Sequence, residues 1–191
     1  MAPPVAGLFG KLPAHGDFVR RGWADATVDA IDHWLTETIA TARSARDAEA
    51  FDAWMRAAPL WRGFVPAGRL GPQALHLAIA PSIDRAGRLF AVAAGVAGDA
   101  TIAWRHATTA GTMMDAALYD ALAGVRDADA VVESIAASIG DDGMDDGVDD
   151  ASDHAAPTMS SWWLAPDGAP LMTSGPVDAR LLERLLDGGL R

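Results

Sequence analysis

GLFGKLPAHGDFVRRG, residues 7–22, is the stretch that specifies the fold most closely. It begins as an apolar, strand-like run, and Gly10, Pro13 and Gly16 then interrupt it at three-residue intervals. Glycine frees the backbone and proline fixes φ, so this spacing predicts a shaped turn after a first strand over residues 7–12. Ionisable side chains crowd this turn: Lys11, His15, Asp17, Arg20 and Arg21. We therefore predict a strand followed by a turn that presents charge.

A second charged turn occurs in residues 80–92, APSIDRAGRLFAV. The apolar runs 74–80 and 88–97 on either side of it predict two strands, and the turn around Asp84–Gly87 separates them. The polar residues of this turn are Ser82, Asp84, Arg85 and Arg88, with Gly87 as a second turn-shaping residue.

The two turns have matching composition, because each combines one aspartate with two arginines and follows an apolar run. Opposite charges on neighbouring turns attract, and arginine holds a carboxylate with two parallel hydrogen bonds. We expect residues 15–21 to lie beside residues 82–88, with Asp17 or Asp84 pairing with an arginine of the other segment. A structural salt-bridge network and a partner-docking face are both open interpretations of these charges.

Apolar periodicity predicts the remaining elements. The expected helices start near Thr27, cover residues 51–58, 113–122 and 131–139, and close the chain between Pro176 and Gly188–Gly189. The expected further strands are residues 60–66 and a hairpin within 160–173 around Pro166–Asp167–Gly168.

Short turns join successive strands with no helix between them, which favours antiparallel pairing over a doubly wound parallel sheet. The predicted class is α/β of the α+β type. We expect a three-layer α/β/α sandwich around a mostly antiparallel sheet. Its length of 191 residues suits a single domain over residues 1–191, with a flexible acidic insertion at about 140–156.

Composition narrows the class of protein further. The chain has no cysteine, which excludes disulfides and thiolate metal sites. The start resembles no signal peptide, and no apolar run reaches the length of a membrane span, so we predict a cytoplasmic protein. Seven aspartates within residues 141–153 account for most of the net charge of −11, which would be −4 without them. A net-acidic chain argues against nucleic-acid binding.

Familiar cofactor and metal motifs are incomplete in this sequence. Gly10–Lys11 is no phosphate loop, because Val5 replaces the first glycine and Leu12 replaces the serine or threonine. The five histidines lack metal-ligand spacing. In the Asp-rich run, Met144 occupies an EF-hand ligand position, which leaves only loose calcium binding open. We predict neither a resident metal nor a cofactor.

Ser82 offers the one candidate nucleophile, with a histidine such as His15 as its base. The surrounding sequence has no G-x-S-x-G elbow, so a small serine hydrolase is the alternative to a non-catalytic protein. Hydrogen bonds between the turn backbone and the side chains of Ser82 and Asp84 are the simpler explanation of these residues. We predict no catalytic residue.

The two charged blocks resemble the TagF family of accessory proteins of bacterial type VI secretion. That family typically opens with G-x-x-G-K-L-P, then G-D-F and a basic pair, and later has P-S-x-D-x-x-G-R-x-F-P. Trp34–Leu35, Trp61 and Gly71 also fall where the family has them. The chain departs from the pattern at Ala14–His15, in place of Ser-Arg, and at Ala91, in place of proline.

The resemblance implies a longin- or profilin-like α/β/α sandwich and a non-enzymatic, post-translational negative regulator of secretion. Its implied partners belong to the threonine-phosphorylation pathway, with a forkhead-associated (FHA) scaffold protein foremost. A structural component of the secretion machine is the remaining alternative. The implied partner face would use Lys11, Asp17, Arg20, Arg21, Asp84, Arg85 and Arg88.

Overall fold

One seven-stranded antiparallel sheet organises the chain, in the order β2-β1-β5-β4-β3-β6-β7. The computed structural model describes residues 3–141, 156–165, 171–174 and 177–188. Its strands are β1 (Val5–Gly10), β2 (Val19–Arg21), β3 (Trp61–Val65), β4 (Ala74–Ile83), β5 (Leu89–Gly98), β6 (Ser160–Leu164) and β7 (Leu171–Thr173). Its helices are α1 (Asp25–Ser44), α2 (Ala48–Ala57), α3 (Ala100–Thr109), α4 (Gly111–Leu122), α5 (Ala128–Asp141) and α6 (Ala179–Leu186).

Helices cover both faces of the sheet, which confirms the predicted α/β/α sandwich. Side chains alternate across a strand, so β5 sends Ala91, Ala93 and Ala97 to one face and Val92, Ala94 and Val96 to the other. The first face packs against α1, α2 and α6, and the second against α3, α4 and α5. The consecutive strands β3, β4 and β5 pair directly, as their short connections predicted.

Several element boundaries differ from the sequence predictions. The first strand ends at Gly10 rather than at residue 12, because Gly10 has a φ of 134° and a side chain there would overlap the carbonyl of Ala91. The strand predicted over 74–80 continues to Ile83, which pairs with Leu89. Helix α5 continues through Asp141 and so includes the first residues of the predicted acidic insertion.

Two elements were missed entirely. Strand β2 has only three residues, two of them arginines, and it forms by pairing with Leu8–Gly10 at the sheet edge. Helix α3 begins after Asp99, whose side chain accepts a hydrogen bond from the backbone nitrogen of Ile102 at 2.9 Å, an N-cap that the apolar pattern did not show.

Some predicted features lie outside the described residues. These are the remainder of the acidic insertion up to residue 155, the hairpin turn Pro166–Asp167–Gly168, Pro176 and Gly189. The N-cap of the last helix is Asp178, which lies within the described residues. Its side chain accepts a hydrogen bond from the backbone nitrogen of Leu181 at 3.0 Å.

Candidate functional site: the charged turns

The two charged turns meet at one end of the sheet, where β1 ends and where β4 turns into β5. A buried ion pair joins them. Lys11 Nζ lies 3.0 Å from Asp84 Oδ2, and the side chains are only 8% and 0% exposed. The Lys11 backbone nitrogen also donates to the carbonyl of Ala91 at 3.2 Å. Lys11 is therefore a structural tie between strands as well as a charged group.

Asp84 organises the β4–β5 turn through its carboxylate. One oxygen accepts hydrogen bonds from the backbone nitrogens of Ala86, at 3.0 Å, and Arg88, at 2.9 Å. The other accepts from Lys11 and from Arg88 Nε, at 2.6 Å. Burial alone would raise the pKa of Asp84, but the hydrogen bonds from Arg88 and Lys11 outweigh it and hold the pKa well below its usual range. Gly87 completes this turn with a φ of 80°.

The structure places residues 15–21 beside residues 82–88, through backbone contacts. The backbone nitrogen of Arg85 donates to His15 O at 2.8 Å, and Arg88 Nη2 donates to Gly16 O at 2.8 Å. A side chain at Gly16 would approach the guanidinium of Arg85. The proposed carboxylate–arginine pair between the segments is wrong in its partners: Asp84 pairs with Lys11 and with Arg88 of its own turn.

Asp17 also differs from the expected arrangement, since its carboxylate accepts a hydrogen bond from the backbone nitrogen of Phe18 at 2.8 Å. The side chain thus shapes its own turn, as short aspartate contacts to the next residues commonly do. Pro13, in the same segment, lines the groove described below.

Arg20 and Arg21 leave strand β2 toward opposite faces of the sheet. Arg20 Nη2 lies 2.9 Å from Asp29 on α1, and Arg21 Nε lies 2.6 Å from Asp129 on α5. The hydrogen bond between Arg21 and Asp129 raises the pKa of the arginine and lowers the pKa of the aspartate. Both pairs are well exposed, so they contribute little to stability.

Phe18 is the residue of this region that sequence reasoning missed. Its side chain is 45% exposed, although large aromatic groups are normally buried. It stacks on Phe9 at 5.7 Å, meets the edge of Phe90 at 4.8 Å, and lies 5.0 Å from Lys11 Nζ. The signal was present in the G-D-F motif, whose aromatic residue lies between the charges. We call Lys11, Asp17, Phe18, Asp84, Arg85 and Arg88 the charged-turn surface.

A groove of about 310 Å³ opens at the end of β4. The pairing of β3 with β4 ends at Ile79, so the last four residues of β4 have no β3 residue paired with them. Asp84 N donates to Arg88 O, just before β5, and by alternation Pro81 directs its nitrogen to the open side. A proline is therefore tolerated within this long strand. Residues that line the groove include Pro13, Arg56, Ala58, Ser82, Ile83 and Leu89.

Ser82 is 5% exposed, and its hydroxyl lies 3.4 Å from the carbonyl of Ile83, to which it donates. His15, the base considered for it, accepts a hydrogen bond at Nε2 from the backbone nitrogen of Ala128 at 3.2 Å. The structure therefore gives His15 a role at the start of α5 and does not bring it to Ser82 as a base. The fifth histidine, His154, lies outside the described residues.

A second polar grouping lies between the sheet and helices α3, α4 and α5. In this grouping, His76 Nδ1 is 2.6 Å from His106 Nδ1, and Arg62 Nε is 3.1 Å from Asp115. His106 Nε2 lies 2.9 Å from Ser138 Oγ. We call these five residues the inner polar cluster. His76 is completely buried.

The hydrogen bonds of this cluster favour one assignment of the histidine tautomers. The Ser138 hydroxyl donates to Ile135 O at 2.7 Å, and in this assignment its oxygen accepts from His106 Nε2. His106 Nδ1 is then an acceptor, and His76 Nδ1 carries the shared proton. Burial, together with His106 and Arg62, holds the pKa of His76 well below its usual range.

The described residues contain no group of three side chains suited to hold a metal ion. Within that same part of the chain, none of the helices combines the length and apolarity needed to cross a membrane.

Comparison with known proteins supplies the family. A solved structure, PA0076 from Pseudomonas aeruginosa PAO1, is similar in fold, with a TM-score of 0.69 over 97% of this chain and 96% of that chain at 24% sequence identity. No curated protein matched the sequence significantly. The family described as "TagF N-terminal domain, Type VI secretion system-associated" matches residues 7–140, which include both charged turns. The chain therefore belongs to the TagF family of proteins associated with type VI secretion.

Proposed function

We propose that this chain is a cytoplasmic, non-enzymatic negative regulator of a type VI secretion system. It acts after translation by binding the FHA scaffold protein of the phosphorylation pathway. Membership of a secretion-associated family supports the cellular setting. The proposal adds the direction of control, the partner and the binding face.

Phe18 is the observation that carries this proposal. Its ring is 45% exposed, and aromatic and arginine side chains are enriched at protein interfaces. Arg85 and Arg88 belong to the adjoining turn, which bonds to His15 and Gly16 of the Phe18 segment, and Arg88 keeps 58% of its side chain exposed despite its bond to Asp84. Scattered exposed apolar residues are common on proteins, but a ring that stacks on Phe9 and meets Phe90 edge to face is held in a fixed orientation.

The buried part of the charged turns favours binding because it fixes the exposed part in advance. Asp84 holds the β4–β5 turn through two backbone hydrogen bonds, and Lys11 ties that turn to β1. A surface that is ordered before binding loses less conformational entropy in the complex. On this basis Lys11 and Asp84 are positioning residues, while Phe18, Arg85 and Arg88 contact the partner.

Overproduction in a cell with the cognate secretion system tests the proposed function. We expect secretion of effector proteins to fall while transcript levels of the secretion genes stay constant. Phe18→Ala, produced at the same level, should restore secretion, whereas Met172→Ala, which truncates an exposed side chain on β7, should repress like the parent chain. Undiminished secretion at high levels of the parent chain would contradict the proposal.

Serine hydrolysis is the alternative, favoured only by the position of Ser82 in the wall of the groove. A serine nucleophile needs an adjacent base, and the His15 ring contacts Ala128 instead. We expect a serine-reactive fluorophosphonate probe to leave the purified chain unlabelled. Labelling that is lost in Ser82→Ala would establish the alternative.

A further inference from the structure

We propose that the groove and Phe18 together bind an extended, acidic segment of the partner protein. One apolar side chain of that segment fills the groove, and a second packs against the Phe18 ring. The proposal rests on the proposed function because it uses the same partner-binding surface, at the end of the sheet where the charged turns lie. It adds the chemistry of the partner segment.

The order of the strands sets the distance between the two anchor positions. The Phe18 ring meets the Phe90 ring of β5 at 4.8 Å, and Phe90 pairs with Ser82 in the wall of the groove at the end of β4. Neighbouring strands lie about 4.8 Å apart, so the two anchor positions are separated by roughly one to two strand spacings, about 5–10 Å. An extended chain covers that distance in about two residues, at roughly 3.3 Å each. Residues two apart in an extended segment also point to the same side, as two anchors require.

Charge identifies the segment as acidic. The charged-turn surface carries three cations, Lys11, Arg85 and Arg88, against two carboxylates, Asp17 and Asp84. Arg56 adds a further positive charge, because it lines the groove with an exposed side chain. The whole chain has a net charge of −11, so a positive area on it is a local departure. Complementary charge selects partners and guides their approach.

The strand edge beside the groove does not favour binding by addition of a new strand. Pro81 directs its nitrogen to that open edge and has no hydrogen to donate, which interrupts the ladder that an added strand would need. The bound segment is therefore recognised through its side chains. The apolar wall of Ile83 and Leu89 and the guanidinium groups beside it supply the two kinds of contact that such a segment needs.

Fluorescence polarisation with synthetic peptides tests this inference. The probes are nine-residue peptides of aspartate and glutamate, with leucine, isoleucine, methionine or phenylalanine at positions four and six. We expect at least one to bind the full chain and to lose affinity about tenfold when either anchor of the peptide becomes alanine. Versions in which lysine replaces every acid should not bind, and added salt should weaken binding of the acidic peptides.

Variants of the chain locate the bound peptide. Ala58→Phe fills the groove and Phe18→Ala removes the second anchor, so each should weaken binding about tenfold. Arg88→Ala should weaken it as well, while Arg105→Ala on α3 and Met172→Ala on β7 serve as matched controls and should leave it unchanged. Circular dichroism and thermal unfolding of each variant verify that it is folded.

The inference is overturned if none of the acidic peptides binds, or if Ala58→Phe binds them as well as the parent chain does. Two other occupants give distinct results. A concentration-dependent dimer that Ala58→Phe abolishes, seen by sedimentation, would assign the groove to a second copy. A tenfold gain in peptide affinity on replacing residues 142–155 with a Gly-Ser linker would assign it to the Asp-rich segment of the chain itself.

These results are independent of the secretion assay. Peptide binding at the groove without repression of secretion would retain the docking chemistry and reject the regulatory role. Repression of secretion with no peptide binding would retain the regulatory role and reject the docking chemistry.

Discussion

The charged-turn surface and the inner polar cluster use similar residues in opposite surroundings. In the charged turns, a buried pair, Lys11 and Asp84, supports exposed groups such as Phe18 and Arg88. In the inner polar cluster, Arg62 of β3 is buried against Asp115 of α4, and His76 of β4 is buried against His106 of α3. The degree of burial therefore distinguishes the two groupings. The charged-turn surface can contact a partner, whereas the inner polar cluster maintains the packing of helices on the sheet.

Asp115→Ala should have the largest effect on stability, because it removes the carboxylate beside the buried guanidinium of Arg62. Breaking a buried ion pair from one side costs about 3–5 kcal/mol. Asp120→Ala, which removes the partner of Arg126 in an exposed pair, is the matched control and should cost at most about 1 kcal/mol. Urea denaturation measures both.

The double variant Arg62→Met/Asp115→Leu sharpens this prediction. It replaces both charges by apolar groups of similar size, and such replacements are often neutral or stabilising. We expect it to recover most of the stability lost in Asp115→Ala. A double variant as unstable as the single one would show that Arg62 has a further structural role at Gly111, against which its guanidinium packs.

Lys11→Met should have the next largest effect, a loss of about 2 kcal/mol, because a buried hydrogen bond to a charged group is removed. The loss is smaller than for Asp115→Ala since Asp84 keeps its bonds from Arg88 and from two backbone nitrogens. The same denaturation experiment applies. A loss as large as that of Asp115→Ala would contradict the distinction between the two polar groupings.

Acid should destabilise the inner polar cluster before it affects the charged turns. The pKa of His76 in the folded chain lies below its ordinary value of 6.5, so the unfolded chain binds more protons as the pH falls below 6.5. The contribution of His76 is therefore complete above about pH 6.5 and is lost below it, by up to about 1.4 kcal/mol per pH unit. The contribution of Asp84 is lost only below its ordinary value of 3.8.

Unfolding free energies measured between pH 7.5 and 4.5 test this order. His33→Asn, which alters an exposed histidine, should keep the parent slope, whereas His76→Leu/His106→Leu should flatten it. An unchanged slope in the double variant would assign the acid sensitivity to groups outside the inner polar cluster.

Asp29→Ala should have the smallest effect, about 0.5 kcal/mol or less, because its pair with Arg20 is exposed on both sides. A loss above about 2 kcal/mol would mean that strand β2 depends on this pair for its position at the sheet edge.

Sequence reasoning reached the parts of the fold that local pattern specifies. The strands β4 and β5 were recognised because apolar runs flank a turn with Asp84 and Gly87, and the apolar stripe of α1 showed its buried face. Strand β2 was missed because three residues carry no period, and only pairing with β1 makes VRR a strand. The matching composition of the two charged turns allowed them to be expected side by side.

The inner polar cluster was beyond reach of the sequence for a different reason. Arg62 and His76 are single polar residues within apolar strands, and their partners lie on helices 30 or more positions away. Nothing local distinguishes a buried, paired arginine from one on a solvated face. The true partner of Asp84 was missed similarly, because Lys11 lies 73 positions away and competes with nearer arginines.

The affinity of the chain for the FHA scaffold of its own secretion system tests the central claim most directly. Isothermal titration calorimetry should compare the parent chain, Phe18→Ala and Met172→Ala, after each variant is shown to unfold at the same urea concentration as the parent. The account predicts binding by the parent and by Met172→Ala, and at least a tenfold loss of affinity in Phe18→Ala. Equal affinity of all three chains, or no binding by the parent, would contradict it.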